Sequence, residues 1–144
     1  MKEVMDVVFL IARILFVLIF ALSAIGHITK ANDMAGYAKF KGAPGGKFGV
    51  IATGVALGAG ALMVLLGIWG DVGSLLIAAT LIPITFFMHA YWKETDAQAK
   101  QGDQVMFNKN VGLMGGALGF FLLFAATEVA SLGWTITGPL FHLS

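Results

Sequence analysis

Four runs of apolar residues, each roughly twenty positions long and almost free of charge, alternate with short polar stretches along this chain. The runs occupy residues 7–29, 48–70, 72–92 and 108–129. At about 1.5 Å of helical rise per residue, each reaches across the roughly 30 Å hydrocarbon core of a bilayer. Lipid offers the backbone no hydrogen-bonding partner, so each run must form a helix that satisfies its own amides. The polar stretch TKANDMAGYAKFKGAPGGK is punctuated by Gly42, Pro44, Gly45 and Gly46 and is expected to be a loop. Only Gly70-Asp71-Val72-Gly73 separates the second run from the third, which forces an antiparallel hairpin. The next joint, KETDAQAKQGDQVMF, has few breakers, and part of it is expected to be helical. The tail, 130–144, is too short to cross again and is expected at the interface, anchored by Trp134 and Phe141. The pattern predicts an all-α integral membrane protein: one antiparallel four-helix bundle spanning residues 1–144.

Composition strengthens this reading. Hydrophobic residues make up 58% of the chain and charged residues 12%, too few to cover the surface of a soluble domain. A net charge of +1 suggests no nucleic-acid role. The absence of cysteine excludes disulfides, thiol catalysis and iron–sulfur ligation. The first run reads as a retained helix rather than a signal peptide. Lys2 is offset by Glu3 and Asp6, the apolar stretch is long, and no A-x-A site closes it.

Small residues recur at four-residue spacing: Gly54 and Gly58 in the second run, Gly112 and Gly116 in the fourth. Such faces let helix backbones approach closely in lipid, within one bundle or against a partner helix. Pro83 interrupts the third run and is expected to bend it, with Thr80 and Thr85 near the freed carbonyl. The loops 30–47 and 93–109 carry seven lysines, whereas the other side has only Lys2 and Arg13. The excess puts loops 30–47 and 93–107 in the cytoplasm and both termini outside.

An antiparallel bundle gathers polar residues at one membrane face: His27 ending the first run, His89 ending the third, Lys109 and Asn110 opening the fourth, with Tyr37 and Trp92 at the same level. Imidazole can donate to a quinone carbonyl or accept a proton from a quinol, and neighbouring aromatic residues suit a ring and an isoprenoid tail. Haem between two histidines is disfavoured, because it needs them facing each other at matched depth. No metal site is expected, since Asp33 is the one nearby acid in the first loop. The competing account is that His27 and Trp92 are interfacial anchors and that the residues at 108–110 cap a helix. At the opposite face Arg13 and Glu128 are expected to pair, or to share Asp71, because a charge within the membrane pairs or snorkels.

The same residues carry a family resemblance. FALSAIGHITKANDMAGYAKFKGAP and ITFFMHAYWKETDAQAKQGDQVMFNKNVGLMGGAL resemble the two signatures of the DoxX family of four-helix membrane proteins. The shared marks are a helix ending in Gly26-His27, the loop Tyr37, Gly42 and Pro44, then Met88-His89 with Trp92, and Phe107 with Lys109 and Asn110. Members commonly have Lys at the position of His27, which counts against a ligand site that requires an imidazole there. The resemblance implies a bacterial-type inner membrane and a link to redox metabolism. Relatives are similar to small subunits of thiosulfate:quinone oxidoreductase and to a membrane component of an oxidative-stress complex. The expected role is an accessory subunit of a larger membrane complex, packed against lipid and against other membrane subunits or a second copy of itself. The alternatives are a purely structural subunit without cofactor and a stand-alone quinone-binding oxidoreductase. Quinone is the one cofactor candidate retained.

Overall fold

The structure, a computed structural model, describes residues 1–126 and 133–143. Five helices follow one another: α1 (Lys2–Thr29), α2 (Ala31–Phe40), α3 (Gly46–Leu66), α4 (Gly70–Met88) and α5 (Ala97–Ala125). A single 3-10 turn, Tyr91–Lys93, lies between α4 and α5. Among the described residues there is no β-strand. The helices α1, α3, α4 and α5 are long and apolar enough to cross a membrane. On α1, Ile11, Leu15, Leu18, Leu22 and Ile25 are all exposed, and their spacing lays them along one helical stripe. Water would penalise that stripe; lipid accepts it. The protein is a small multi-pass membrane protein built as a helical bundle.

Several boundaries move from those the hydropathy predicts. The first polar stretch is not a bare loop but contains α2. Ala31, Met34, Ala35 and Ala38 recur at helical spacing and pack with Val50 and Ile51 of α3, so α2 lies on the bundle by its apolar face. The α3–α4 joint is Gly67–Trp69, tighter than expected, with Gly67 at φ 62° and Trp69 at φ 45°. Helix α4 stops at Met88, short of 92. Helix α5 begins eleven residues ahead of 108, because the Asp96 carboxylate accepts the Ala99 amide at 2.8 Å and starts it.

The transmembrane helices pack in chain order: α1 on α3, α3 on α4, α4 on α5. Gly60 and Gly73 let α3 and α4 meet, since a Cβ on either would come within 3.0 Å of the other's carbonyl oxygen. On α4, Ser74, Thr80 and Thr85 return their hydroxyls to the carbonyls four residues back, at Gly70, Leu76 and Leu81. Neither threonine reaches the Ala79 carbonyl that Pro83 leaves free.

Helix α5 closes on α1 through aromatic rings rather than backbone. Phe9 meets Phe124 at 5.3 Å between ring centroids, and Phe16 meets Phe120 at 4.7 Å. These rings fill the half of the bundle near the termini. Towards the other end the α1 and α5 residues between the helices are Ser23, His27, Asn110 and Leu113, and a space remains.

The chain end is built into the fold. Residues 133–143 run back across the terminal face as a strap. Ile136 and Thr137 donate their amides to the Leu66 and Gly67 carbonyls at 3.1 and 3.0 Å. Leu143 donates to Ala125 at 2.9 Å, and Gly133 to the Asp6 carboxylate at 2.7 Å. The Phe141 ring lies 5.7 Å from that of Phe121. Glu128, expected to pair with Arg13, lies outside the described residues. Arg13 is fully buried and donates to the Leu65 and Trp134 carbonyls, both at 3.1 Å. Asp71 does not join it; its carboxylate takes the Leu140 and Phe141 amides instead, because the strap passes directly over the start of α4.

Candidate ligand cavity

The unfilled half of the bundle is a cavity of about 360 Å³ bounded by α1, α3, α4 and α5 and roofed by α2 with its following loop. Its deeper wall is apolar, from Phe20, Leu57, Leu81, Ile84, Phe87 and Leu113. Its polar lining includes His27, Tyr37, His89, Lys109 and Asn110. Five of the six polar residues singled out from sequence therefore line one space.

Trp92 does not. It is half exposed and sits in an aromatic cluster with Tyr91 at 5.3 Å, Phe107 at 5.7 Å and Phe86 at 6.4 Å. That is the position of an interfacial anchor. Phe86 and Phe107 belong to the same cluster, whereas Phe87 and Met88 line the cavity.

His27 is fixed by α3. Its Nδ1 lies 2.9 Å from the Val50 carbonyl and 3.1 Å from the Thr53 hydroxyl. A carbonyl oxygen only accepts, so Nδ1 carries the proton and donates. Gly54 makes this possible, since a Cβ there would stand 2.4 Å from the His27 Cβ. Gly58 allows the same approach one turn on, against Ala24 at 3.1 Å. On α5, a Cβ on Gly116 would stand 3.2 Å from the Phe16 ring, whereas one on Gly112 would meet nothing within 4 Å.

His89 is fixed by a charged cluster that sequence reasoning missed. Lys41 Nζ lies 2.6 Å from Glu94 Oε1 and 2.6 Å from Asp103 Oδ2, and His89 Nδ1 lies 3.4 Å from Asp103 Oδ1. Asp103 and Lys41 are largely buried. The cluster ties the cavity roof, through Lys41, to α5 and to the segment after α4. Asp103 carried a signal in sequence: it, Asn110, Ala117 and Phe124 recur every seven residues and are all buried on α5. Reading α5 as starting at 108 hid it.

Burial alone would lower the pKa of the Lys41 ammonium. The hydrogen bonds to Asp103 and Glu94 more than offset this, so it lies above the ordinary lysine value. A raised pKa in the folded state means the clamp contributes fully below the unfolded lysine value and is lost as pH rises through the folded one. Lys41→Met is therefore expected to cost roughly 2–3 kcal/mol, the worth of hydrogen bonds to charged groups. That cost should be constant from neutral to mildly alkaline pH and shrink in strong alkali. Thermal unfolding in detergent over a pH series checks this; a penalty that varies between neutral and mildly alkaline pH contradicts it.

Asn110 is 3% exposed, lines the cavity, and its carboxamide takes part in no side-chain hydrogen bond among the described residues. Its polar atoms are not sealed in the way that Arg13 Nε and Asp71 Oδ1 are, so the carboxamide is open to the cavity, where a ligand with complementary polar atoms can bond it. Among the described residues no three His, Cys, Asp or Glu side chains cluster as metal ligands would.

A model of the DoxX family matches residues 8–90, more than half of the chain. The match takes in His27, Tyr37 and His89 and ends before Asp103, Lys109 and Asn110. No curated protein and no solved structure matches the chain.

Proposed function

The chain belongs to the DoxX family, and from that footing we propose that it binds a quinone headgroup in the α1–α5 cavity and serves a larger redox complex of the membrane. The observation that carries this reading is Asn110, a buried carboxamide without a protein partner in a cavity it shares with two histidines. An apolar wall with a few convergent polar groups is the usual form of a small-molecule site. A bound quinone supplies two-electron, two-proton chemistry. The protein's own part is to orient the ring through polar contacts with Asn110, His27 and His89 and to pack the isoprenoid tail against Phe20, Leu57 and Leu81.

The accessory role is supported by α5. Added Cβ atoms at Gly112, Gly115 and Gly119 would meet nothing within 4 Å, so the helix presents a bare, narrow face on which another membrane helix can pack. The bacterial-type inner membrane is implied by the family. The lysine excess supports a cytoplasmic location for the loops at 30–47 and 93–107, and with it a cavity in the cytoplasmic leaflet.

Mild detergent extraction, followed by lipid extraction and an ultraviolet–visible spectrum, tests the reading. The wild-type protein is expected to carry quinone. Asn110→Leu is expected to carry none yet to unfold at an equal or higher temperature, because it removes an unpartnered polar group without emptying the site. Quinone-free wild-type protein, or Asn110→Leu that retains quinone, overturns the proposal. The same preparation reports the accessory role: solution size and co-purifying membrane subunits distinguish a complex from an isolated bundle.

A further inference from the structure

His27 and His89 come from different helices, yet both are held by the same ring atom. The His27 Nδ1 is committed to the Val50 carbonyl on one side of the cavity. The His89 Nδ1 is committed to Asp103 on the other, through the longest contact of its cluster. Asp103 meets the Lys41 ammonium at 2.6 Å, so it is a carboxylate and can only accept. The proton on each neutral imidazole is therefore on Nδ1, and each Nε2 is left with a lone pair. Both histidines line the same space.

We propose that Asp103 is a positioning residue that fixes the tautomer of His89, so that the cavity presents two imidazole acceptors and takes the reduced, dihydroxy form of the ring, a hydroquinone, in preference to the quinone. This rests on the quinone-site reading above and specifies which redox form the site holds. A hydroquinone carries two hydroxyl donors, one for each Nε2, whereas a quinone has only carbonyl acceptors that would face those lone pairs. Asn110 discriminates little, since its carboxamide offers a donor and an acceptor. Lys109 is a donor but is exposed. The Ser23 and Tyr37 hydroxyls also line the space and either donate or accept, so they discriminate little. The groups fixed in one role are the two imidazoles, both as acceptors.

The test has two arms on the full-length protein in detergent. In the first, decylubiquinol and decylubiquinone are titrated anaerobically against quinone-stripped protein. The reduced form is expected to bind about tenfold tighter, the ratio that roughly one net hydrogen bond supplies. In Asp103→Asn the gap should narrow, because a carboxamide no longer dictates which imidazole nitrogen is protonated. In the second arm, nitrogen-15 spectra of histidine-labelled, ligand-free protein read the tautomer directly, with signals assigned by replacing His27, His89 and His142 one at a time. His89 is expected as the Nδ1–H tautomer in wild type and as a mixture in Asp103→Asn, a change that a merely structural carboxylate would not produce. Equal or tighter binding of decylubiquinone, or an Nε2–H tautomer at His89 in the wild type, overturns this inference and leaves the quinone site standing. Failure of both forms to bind overturns the site itself, and the inference with it.

Discussion

Gly54→Leu is expected to unseat α1 from α3 and abolish ligand binding, with a loss of about 2–3 kcal/mol of stability, the usual cost of overpacking a filled interface. The reason is geometric. A Cβ at position 54 would stand 2.4 Å from the His27 Cβ, a separation at which one of the two must move. Neither atom is the free end of a flexible side chain; both are fixed to helix backbones. The helices must part, and His27 then loses the Val50 carbonyl and the Thr53 hydroxyl that set its ring. Even Gly54→Ala should be damaging, since the clash comes from the first carbon. Gly112→Leu is the control: its added carbon has open space, so the bundle should tolerate it within about 0.5 kcal/mol. Unfolding of the purified variants in detergent, together with their quinone content, checks both. Equal stability of the Gly54 and Gly112 variants would show that the α1–α3 contact does not have this geometry.

The same contrast shows what the sequence can and cannot convey. Four-residue spacing of glycines marked faces capable of close approach, but spacing is blind to what lies opposite. Gly54 faces a histidine and Gly112 faces open space, and only three-dimensional placement separates them. The transmembrane helices were legible because lipid enforces a length and an apolar composition. The ends were less so, because capping is local chemistry at single residues: Asp96 starts α5 well before hydropathy rises. Helix α2 was hidden for a related reason. Its apolar face is made mostly of alanines, which hydropathy weighs lightly, while the surrounding lysines dominate the average. The convergence of His27, Tyr37, His89, Lys109 and Asn110 followed from an even number of crossings alone. The cluster of Lys41, Glu94 and Asp103 did not, since it depends on α2 folding back and on α5 extending beyond the hydrophobic run.

Asp71→Ala is expected to release the strap while leaving the transmembrane helices assembled. Asp71 is fully buried, and one of its oxygens accepts two strap amides, Leu140 at 2.8 Å and Phe141 at 2.7 Å. Removing the side chain leaves both amides without a partner, at about 1–3 kcal/mol each. The other strap amides bond one by one, Ile136 and Thr137 to the end of α3, Leu143 to Ala125 and Gly133 to the Asp6 carboxylate, and water can replace each once the segment lifts. Arg13 would then lose the Trp134 carbonyl, one of its two acceptors, so the release should propagate from Asp71 toward the middle of the strap. Limited chymotrypsin digestion in detergent, read by mass spectrometry, follows this directly at Trp134, Leu140 and Phe141. A fall of roughly 3 kcal/mol in the opening free energy speeds clipping by about a hundredfold when opening is fast. Asp71→Asn, which keeps one acceptor oxygen, should fall between wild type and alanine. Identical cleavage of all three proteins would mean that the carboxylate does not hold the strap. Cleavage that spreads at once into the helices would mean that the strap and the bundle unfold as a single unit.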